Sequence, residues 1–339
     1  MQTGFVLPHG EARDAADLAA LAERCGWDGF FVWEPVWGVD AWVSLTAAAM
    51  VTQRMRLGTM LTPLSRMRPW KLASETATLD RLSNGRVILA VGLGAVDTGF
   101  AAFGEVTDRK IRAELLDEGL DILTGLWGGQ PFAYEGTHYR VQPTEFMPPP
   151  PPLQQPRIPI WVTGAWPAEK SMRRVLKYDG LLPQVKGEDG TMRQATAEEL
   201  RAMAAYVAEH RALQTPFDIV VEGETPGDDP VAAATLLEPW AEAGATWWLE
   251  AMWQAPDLNA VRRRVEQGPP RTGLQIGDCR LQIAAARCTL QAKAPLHAVL
   301  NLQSAICNRL SPATESPLNT AQCSPRPCKA GRPGFRQSL

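Results

Sequence analysis

The run Arg86–Gly94, RVILAVGLG, joins an apolar, β-rich segment to two glycines, Gly92 and Gly94. A dinucleotide-binding fingerprint begins this way, because glycines there let a pyrophosphate approach the backbone. The fingerprint needs a third glycine at position 97, which here is Asp97; the next glycine is Gly99. The motif also belongs on the first strand of its unit, whereas this run is the fourth strand of the chain. The spacing therefore argues against an NAD site. Gly92 and Gly94 are expected to let a flat ligand come close to the backbone, with a tight ligand-free turn as the alternative.

Other residues with chemical potential lie near strand ends. His9 follows the first apolar run and is a candidate catalytic residue, or else a solvated loop histidine. Trp37, Trp42 and Trp70 cluster in sequence after the second and third strands. They suit the wall of an apolar substrate pocket, with core packing as the competing reading. Glu250 ends the WWLE run and is placed at the same pocket, facing either ligand or a neighbouring arginine. No metal-ligand constellation, P-loop or G-x-S-x-G elbow occurs in the first 270 residues. This pattern fits an enzyme whose cofactor does the difficult step.

The elements that must position these residues alternate regularly. Apolar strands are read at 3–8, 29–33, 55–62, 86–92, 158–163, 180–185, 217–221 and 245–249. Between them lie helical patterns, including Asp14–Arg24, Pro69–Leu82, Asp108–Leu126 and Thr196–Ala212. The strands are continuously apolar rather than alternating, so both faces of the sheet are buried. Eight such strand–helix units in one domain predict a (β/α)8 TIM barrel. An irregular insertion, 128–157, ending in PPPPPLQQP, separates the fourth helix from the fifth strand.

Composition divides the chain at about residue 270. Residues 271–339 hold nine Lys and Arg against two acids, Asp278 and Glu315, and five of the six cysteines. All twelve Trp and all four Tyr precede them. Residues 1–270 are assigned to the barrel domain and 271–339 to a basic, low-complexity, disordered tail. The tail reads LQIGDCRLQIA and, later, NLQSAICN. The heptamer TTGCAGA, repeated, translates as LQIADCR, and its reverse complement as SAICNLQ. A translated inverted DNA repeat beyond a lost stop codon explains both. The tail cysteines lack zinc-ribbon spacing, so no metal is expected. A formal charge of −3 and the absence of long apolar runs predict no nucleic-acid partner and no membrane span. The first residues, MQTGFVLPHGEARD, lack a signal-peptide pattern, which predicts a cytoplasmic protein.

The chain resembles the bacterial-luciferase-like flavin oxidoreductases over residues 1–267. The resemblance rests on CGWDGFFVWE (25–34), on LTPL, RPW, ATLDRLSNGR and VGLG within 54–94, on YEGTHYRV (134–141) and on PIWVTGAW (159–166). It implies a (β/α)8 barrel binding FMN or the deazaflavin coenzyme F420 at the carboxyl ends of the strands. Carried onto this chain, it places the flavin ring against Leu7, Trp33, Glu34, Thr59, Met60, Gly92 and Gly94. It places the phosphate at Thr163, Gly164, Ala165 and Trp166, and a non-proline cis peptide at Thr59–Met60. Many relatives follow the second-strand Trp with an acid and a histidine; this chain has Glu34-Pro35. Glu34 thereby becomes the acid/base candidate. The implied activity is monooxygenation of a small organic substrate with reduced FMN and oxygen, using a separate flavin reductase. The alternatives are deazaflavin-dependent hydride transfer and a non-catalytic flavin-binding barrel. A homodimer is expected from the same resemblance.

Overall fold

A computed structural model describes residues 1–188 and 190–272. The expectations for the tail beyond residue 272 lie outside the described residues. Eight parallel strands close a barrel: β1 (Gln2–Leu7), β2 (Gly29–Val32), β3 (Arg56–Thr59), β4 (Val87–Gly92), β5 (Ile160–Trp166), β6 (Gly180–Lys186), β7 (Asp218–Gly223) and β8 (Trp247–Ala251). Each pairs with its sequence neighbours, and β8 returns to β1 through Gln2–Trp247 and Thr3–Trp248. The helices are α1 (Ala12–Cys25), α2 (Ala41–Val51), α3 (Pro69–Leu82), α4 (Arg109–Trp127), α5 (Glu169–Val175), α6 (Ala197–His210), α7 (Pro230–Glu242) and α8 (Leu258–Glu266).

Local chemistry sets the helix ends. α1 and α6 open with capping boxes, Glu11 with Asp14 and Thr196 with Glu199. α1 stops where Gly26 takes the left-handed conformation at φ 91°. Asp108 caps α4 by accepting from the Ile111 amide at 2.8 Å.

Period-two alternation splits the strands between two apolar layers. Phe5, Leu7, Val32, Leu89 and Val162 face the helices, while Val6, Phe31, Ile88, Ala90 and Trp161 fill the barrel. The filling is dominated by aromatics: the Phe31 ring stacks on Trp161 at 5.4 Å, and Trp161 meets Trp247 at 5.4 Å. Their bulk needs small neighbours. A methyl group on Gly29 would lie 2.7 Å from the Phe31 ring, and one on Gly180 would lie 2.3 Å from Trp161.

The insertion after α4 is anchored by buried or partly buried acids. Glu118 on α4 accepts from the amides of Thr137, His138 and Tyr139, at the turn of the hairpin Tyr134–Glu135/Arg140–Val141. Asp80 on α3 accepts from the Leu153 and Gln154 amides at 2.8 and 3.1 Å. Two boundaries differ from expectation. β5 extends to Trp166, and β3 stops at Thr59, followed by a separate short strand at Thr62–Pro63. The non-proline cis peptide is Met60–Leu61, one bond beyond the Thr59–Met60 expected. Among the described residues no helix is long and apolar enough to cross a membrane.

Candidate active site

A cavity of about 470 Å³ opens at the carboxyl ends of the strands, where barrel enzymes assemble their sites. Of the residues singled out from sequence, Trp33, Glu34, Met60, Gly92, Gly94, Thr163 and Ala165 line it. Met60, Leu61, Pro63 and Leu116 supply apolar wall.

Glu34 follows β2 and is half-buried. Its Oε2 lies 2.7 Å from Thr62 Oγ1, which is 3.0 Å from Thr59 Oγ1, which in turn reaches the Ala90 carbonyl at 3.2 Å. Each hydroxyl carries one hydrogen. With Glu34 protonated, the carboxyl, Thr62, Thr59 and Ala90 form one continuous donor–acceptor chain. With Glu34 ionised, Thr62 turns its hydrogen to the carboxylate. Burial pushes the Glu34 carboxyl up to about 7, against the opposing effects of the Thr62 hydrogen bond and the Arg66 charge. Arg66 donates to the backbone carbonyls of Glu34 and Pro35 at 3.1 and 2.7 Å, which fixes this turn. Trp33 is fixed by its indole N–H, which donates to the Pro8 carbonyl at 2.8 Å.

Three guanidinium groups, Arg109, Arg112 and Arg174, line the part of the cavity beyond β4 and β5. Arg112 is buried and donates to the carbonyls of Leu93 and Gly94 at 2.8 and 3.0 Å. Its Nε has no partner, and it forms no ion pair among the described residues. Burial lowers its affinity for a proton. Arg174 is held by Asp117, with Nη2–Oδ2 at 2.8 Å. Ser171 accepts from the Ala165 amide at 2.9 Å. An apolar slot with three cations at one end fits a planar cofactor carrying a phosphate. The arginines escaped the sequence reading, although a signal existed. The first turn of α4 contains no acid, and Arg109, Lys110 and Arg112 sit where the helix dipole disfavours cations.

Several expected residues lie elsewhere. Leu7 points from β1 into the helix layer. Thr59 is fully buried and supports Thr62 rather than meeting the cavity. Gly92 and Gly94 have their missing side-chain positions filled by protein. A Cβ would lie 2.7 Å from Thr163 Oγ1 at Gly92 and 2.8 Å from Pro63 Cβ at Gly94. Their close-approach role is thus toward neighbouring strands, and only their backbones face the cavity. Because β5 runs on to Trp166, alternation turns Gly164 and Trp166 outward. Gly164 packs on Leu181, Met172 and Val175, and Trp166 packs edge-on to Tyr206 at 5.7 Å. The expected phosphate loop is therefore strand, and only Thr163 and Ala165 of it face inward.

The remaining candidates are also displaced. His9 is exposed and away from the cavity lining. Trp37 is 83% exposed and stacks on Phe103; Trp70 meets Tyr139 edge-on; Trp42 is buried in the helix layer. None lines the cavity. Glu250 is fully buried between β8 and α8. It accepts from the Thr225 amide and hydroxyl at 2.8 and 2.7 Å and pairs with Arg264 at 3.2 Å. That carboxylate is structural, because Leu249 takes the inward position on β8. No group of three or more metal-ligating side chains occurs among the described residues.

A sequence model of the luciferase-like monooxygenase family matches residues 1–272. An uncharacterized protein of Mycobacterium tuberculosis is 31% identical over 223 residues, covering 66% of this chain and 71% of the relative. The F420-dependent glucose-6-phosphate dehydrogenase of Amycolatopsis mediterranei is 32% identical over 178 residues, half of each chain. An F420-dependent secondary alcohol dehydrogenase shares the fold, with a TM-score of 0.62 at 18% identity, covering 78% of this chain and 97% of the other. With a closed eight-stranded barrel, a cavity at its carboxyl ends and a family match spanning all of the described residues, the chain belongs to the luciferase-like monooxygenase family of oxidoreductases.

Proposed function

We propose that this protein is a coenzyme F420-dependent oxidoreductase acting on a small alcohol or carbonyl substrate. The observation that carries the reading is Glu34, a carboxyl on the cavity wall poised near neutral pH. When bound, a deazaflavin supplies a two-electron hydride acceptor or donor. The chain must then move one proton. Glu34 accepts the hydroxyl proton as an alcohol is oxidised and returns it to the carbonyl oxygen in the reverse direction. A group with a pKa near 7 serves both directions at physiological pH. Arg109, Arg112 and Arg174 would hold the cofactor's anionic end on the far side of the cavity from Glu34. Pro35 cannot carry a proton, which leaves Glu34 without a histidine beside it.

A second reading, monooxygenation with reduced FMN and oxygen, is favoured by the family's description. A separate flavin reductase would then be the partner. Titrating the full chain with coenzyme F420 and FMN, each oxidised and reduced, separates the two. Alcohol-dependent deazaflavin reduction supports the first reading, and substrate-coupled oxygen uptake with reduced FMN supports the second. Tight binding without turnover would indicate a non-catalytic barrel.

A further inference from the structure

The proposed reaction leaves one ionisable group of the cavity unused. Glu222 on β7 lines its wall, beside Gln184 on β6. Gln194 lies opposite Gln184 in an antiparallel pairing of the segment Met192–Gln194 with β6. A smaller cavity of about 30 Å³ adjoins this wall and shares Met60, Leu182, Gln184 and Glu222 with the main one. That space is enough for one or two waters.

Glu222 is half-buried, and its surroundings differ from those of the fully buried Asp80 and Glu250. Asp80 accepts from the Leu153 and Gln154 amides, and Glu250 has Arg264. Glu222 Oε2 is buried without a hydrogen-bond partner, and Glu222 forms no ion pair among the described residues. Burial pushes its carboxyl above the usual range, opposed by weak hydrogen bonding from the Trp253 and Gln194 side chains, neither of which meets good hydrogen-bond geometry at Oε2. A buried carboxyl oxygen left unmatched is unfavourable, and it becomes matched when a ligand brings a donor. Around the ring, β2 and β7 flank β8 and β1, while the arginines stand beyond β4 and β5. Glu34 and Glu222 therefore stand on the side of the cavity away from the arginines, where a neutral substrate lying beside the cofactor's uncharged portion would meet both.

We propose that Glu222, with Gln184, binds a second hydroxyl of the substrate, so that the preferred substrate is a small neutral diol or polyol rather than a simple alcohol. A hydroxyl both donates and accepts, which suits a carboxyl and an amide side by side. An ammonium group would require the ionised carboxylate that burial disfavours. The inference rests on the alcohol-oxidation reading but is separable from it.

Two probes differing by one hydroxyl test it: 1,2-propanediol and 2-propanol. The full chain, without added cofactor, is examined by ligand-observed saturation-transfer NMR, together with Glu222→Leu, Glu222→Gln and Gln184→Leu. The wild type should bind the diol about tenfold more tightly than 2-propanol. Glu222→Leu should abolish that preference, and Glu222→Gln, which keeps the shape, should retain part of it. Gln184→Leu should weaken the diol alone, so a failure of Glu222→Leu to fold does not end the test. With coenzyme F420 loaded, KM for the diol should rise at least tenfold in Glu222→Leu, while KM for 2-propanol and coenzyme affinity stay unchanged. Equal binding of the two probes by the wild type, or a diol preference surviving in both leucine variants, overturns the inference. Tighter binding of 1-amino-2-propanol than of the diol also overturns it. Failure of the wild type to bind coenzyme F420 overturns the functional reading instead, and the NMR contrast still decides the role of Glu222.

Discussion

Thr62 Oγ1 stands 2.7 Å from Glu34 Oε2 and is the only side-chain hydroxyl within hydrogen-bonding distance of that carboxyl among the described residues. One side-chain donor is too few to hold this desolvated, half-buried carboxylate ionised, so the balance tips to burial and the group titrates near 7. The folded carboxyl therefore binds its proton more tightly than the unfolded one, whose ordinary value is 4.5. Its contribution to stability is full below pH 4.5 and is lost as pH rises to about 7. Melting curves of the wild type and Glu34→Gln should converge at low pH. The variant should gain relative stability by about 1–3 kcal/mol above pH 7, less than the full shift because solvent screens part of a half-buried group.

The same group sets the direction of the pH profile. Alcohol oxidation needs ionised Glu34, so its rate should rise through pH 7, and carbonyl reduction should fall over the same range. Glu34→Gln should lower either rate by about 10²–10⁴-fold. Thr62→Val removes the hydrogen bond that favours the carboxylate, so the inflection should move to higher pH. An inflection that stays put would assign the titration to another group.

Arg112 and Arg174 should govern cofactor affinity. Removing either guanidinium should weaken binding of a phosphate-bearing cofactor by about 10–100-fold, the worth of a charge-assisted hydrogen bond. Added salt should reduce the wild-type affinity more than that of the variants. Fluorescence titrations at two ionic strengths measure both effects.

Gly164 offers a contrast between fold and function. The added methyl of Gly164→Ala would meet Leu181 Cδ1 at 2.4 Å. Overpacking of this kind costs about 1–3 kcal/mol. The melting temperature should drop while the cofactor affinity of the folded protein holds. A selective loss of affinity would restore Gly164 to the phosphate site.

Glu250 should behave as a structural acid. Truncating one member of a buried ion pair costs about 3–5 kcal/mol, so Glu250→Ala should unfold much more readily. The fraction that remains folded should bind cofactor normally, as measured by titration beside a denaturation curve.

The barrel was legible in the sequence because its signals are local and repeated: continuous apolar strands, capped helices and regular spacing. The candidate site was legible mainly through the family resemblance, which names Trp33, Glu34 and Met60, all on the cavity wall, even though the apolar pattern runs the third strand three residues too long. Ending β5 at residue 163 makes Gly164 loop; with the strand continuing to Trp166, the alternation set by Trp161 and Val162 carries on and turns Gly164 outward. Glu250 looked like a rim residue because alternation along WWLEA has no phase until Leu249 is known to point inward. Arg174 and Glu222 reach the cavity from separate segments, a convergence that only the closed ring reveals.

The central claim is tested most directly by adding 1,2-propanediol to the full-length protein saturated with oxidised coenzyme F420. The loss of deazaflavin absorbance is then followed from pH 5 to 9. Saturable cofactor binding is expected, with a reduction rate that rises with an apparent pKa near 7 and collapses in Glu34→Gln. No binding of the coenzyme, or reduction that is unchanged in Glu34→Gln, would contradict it.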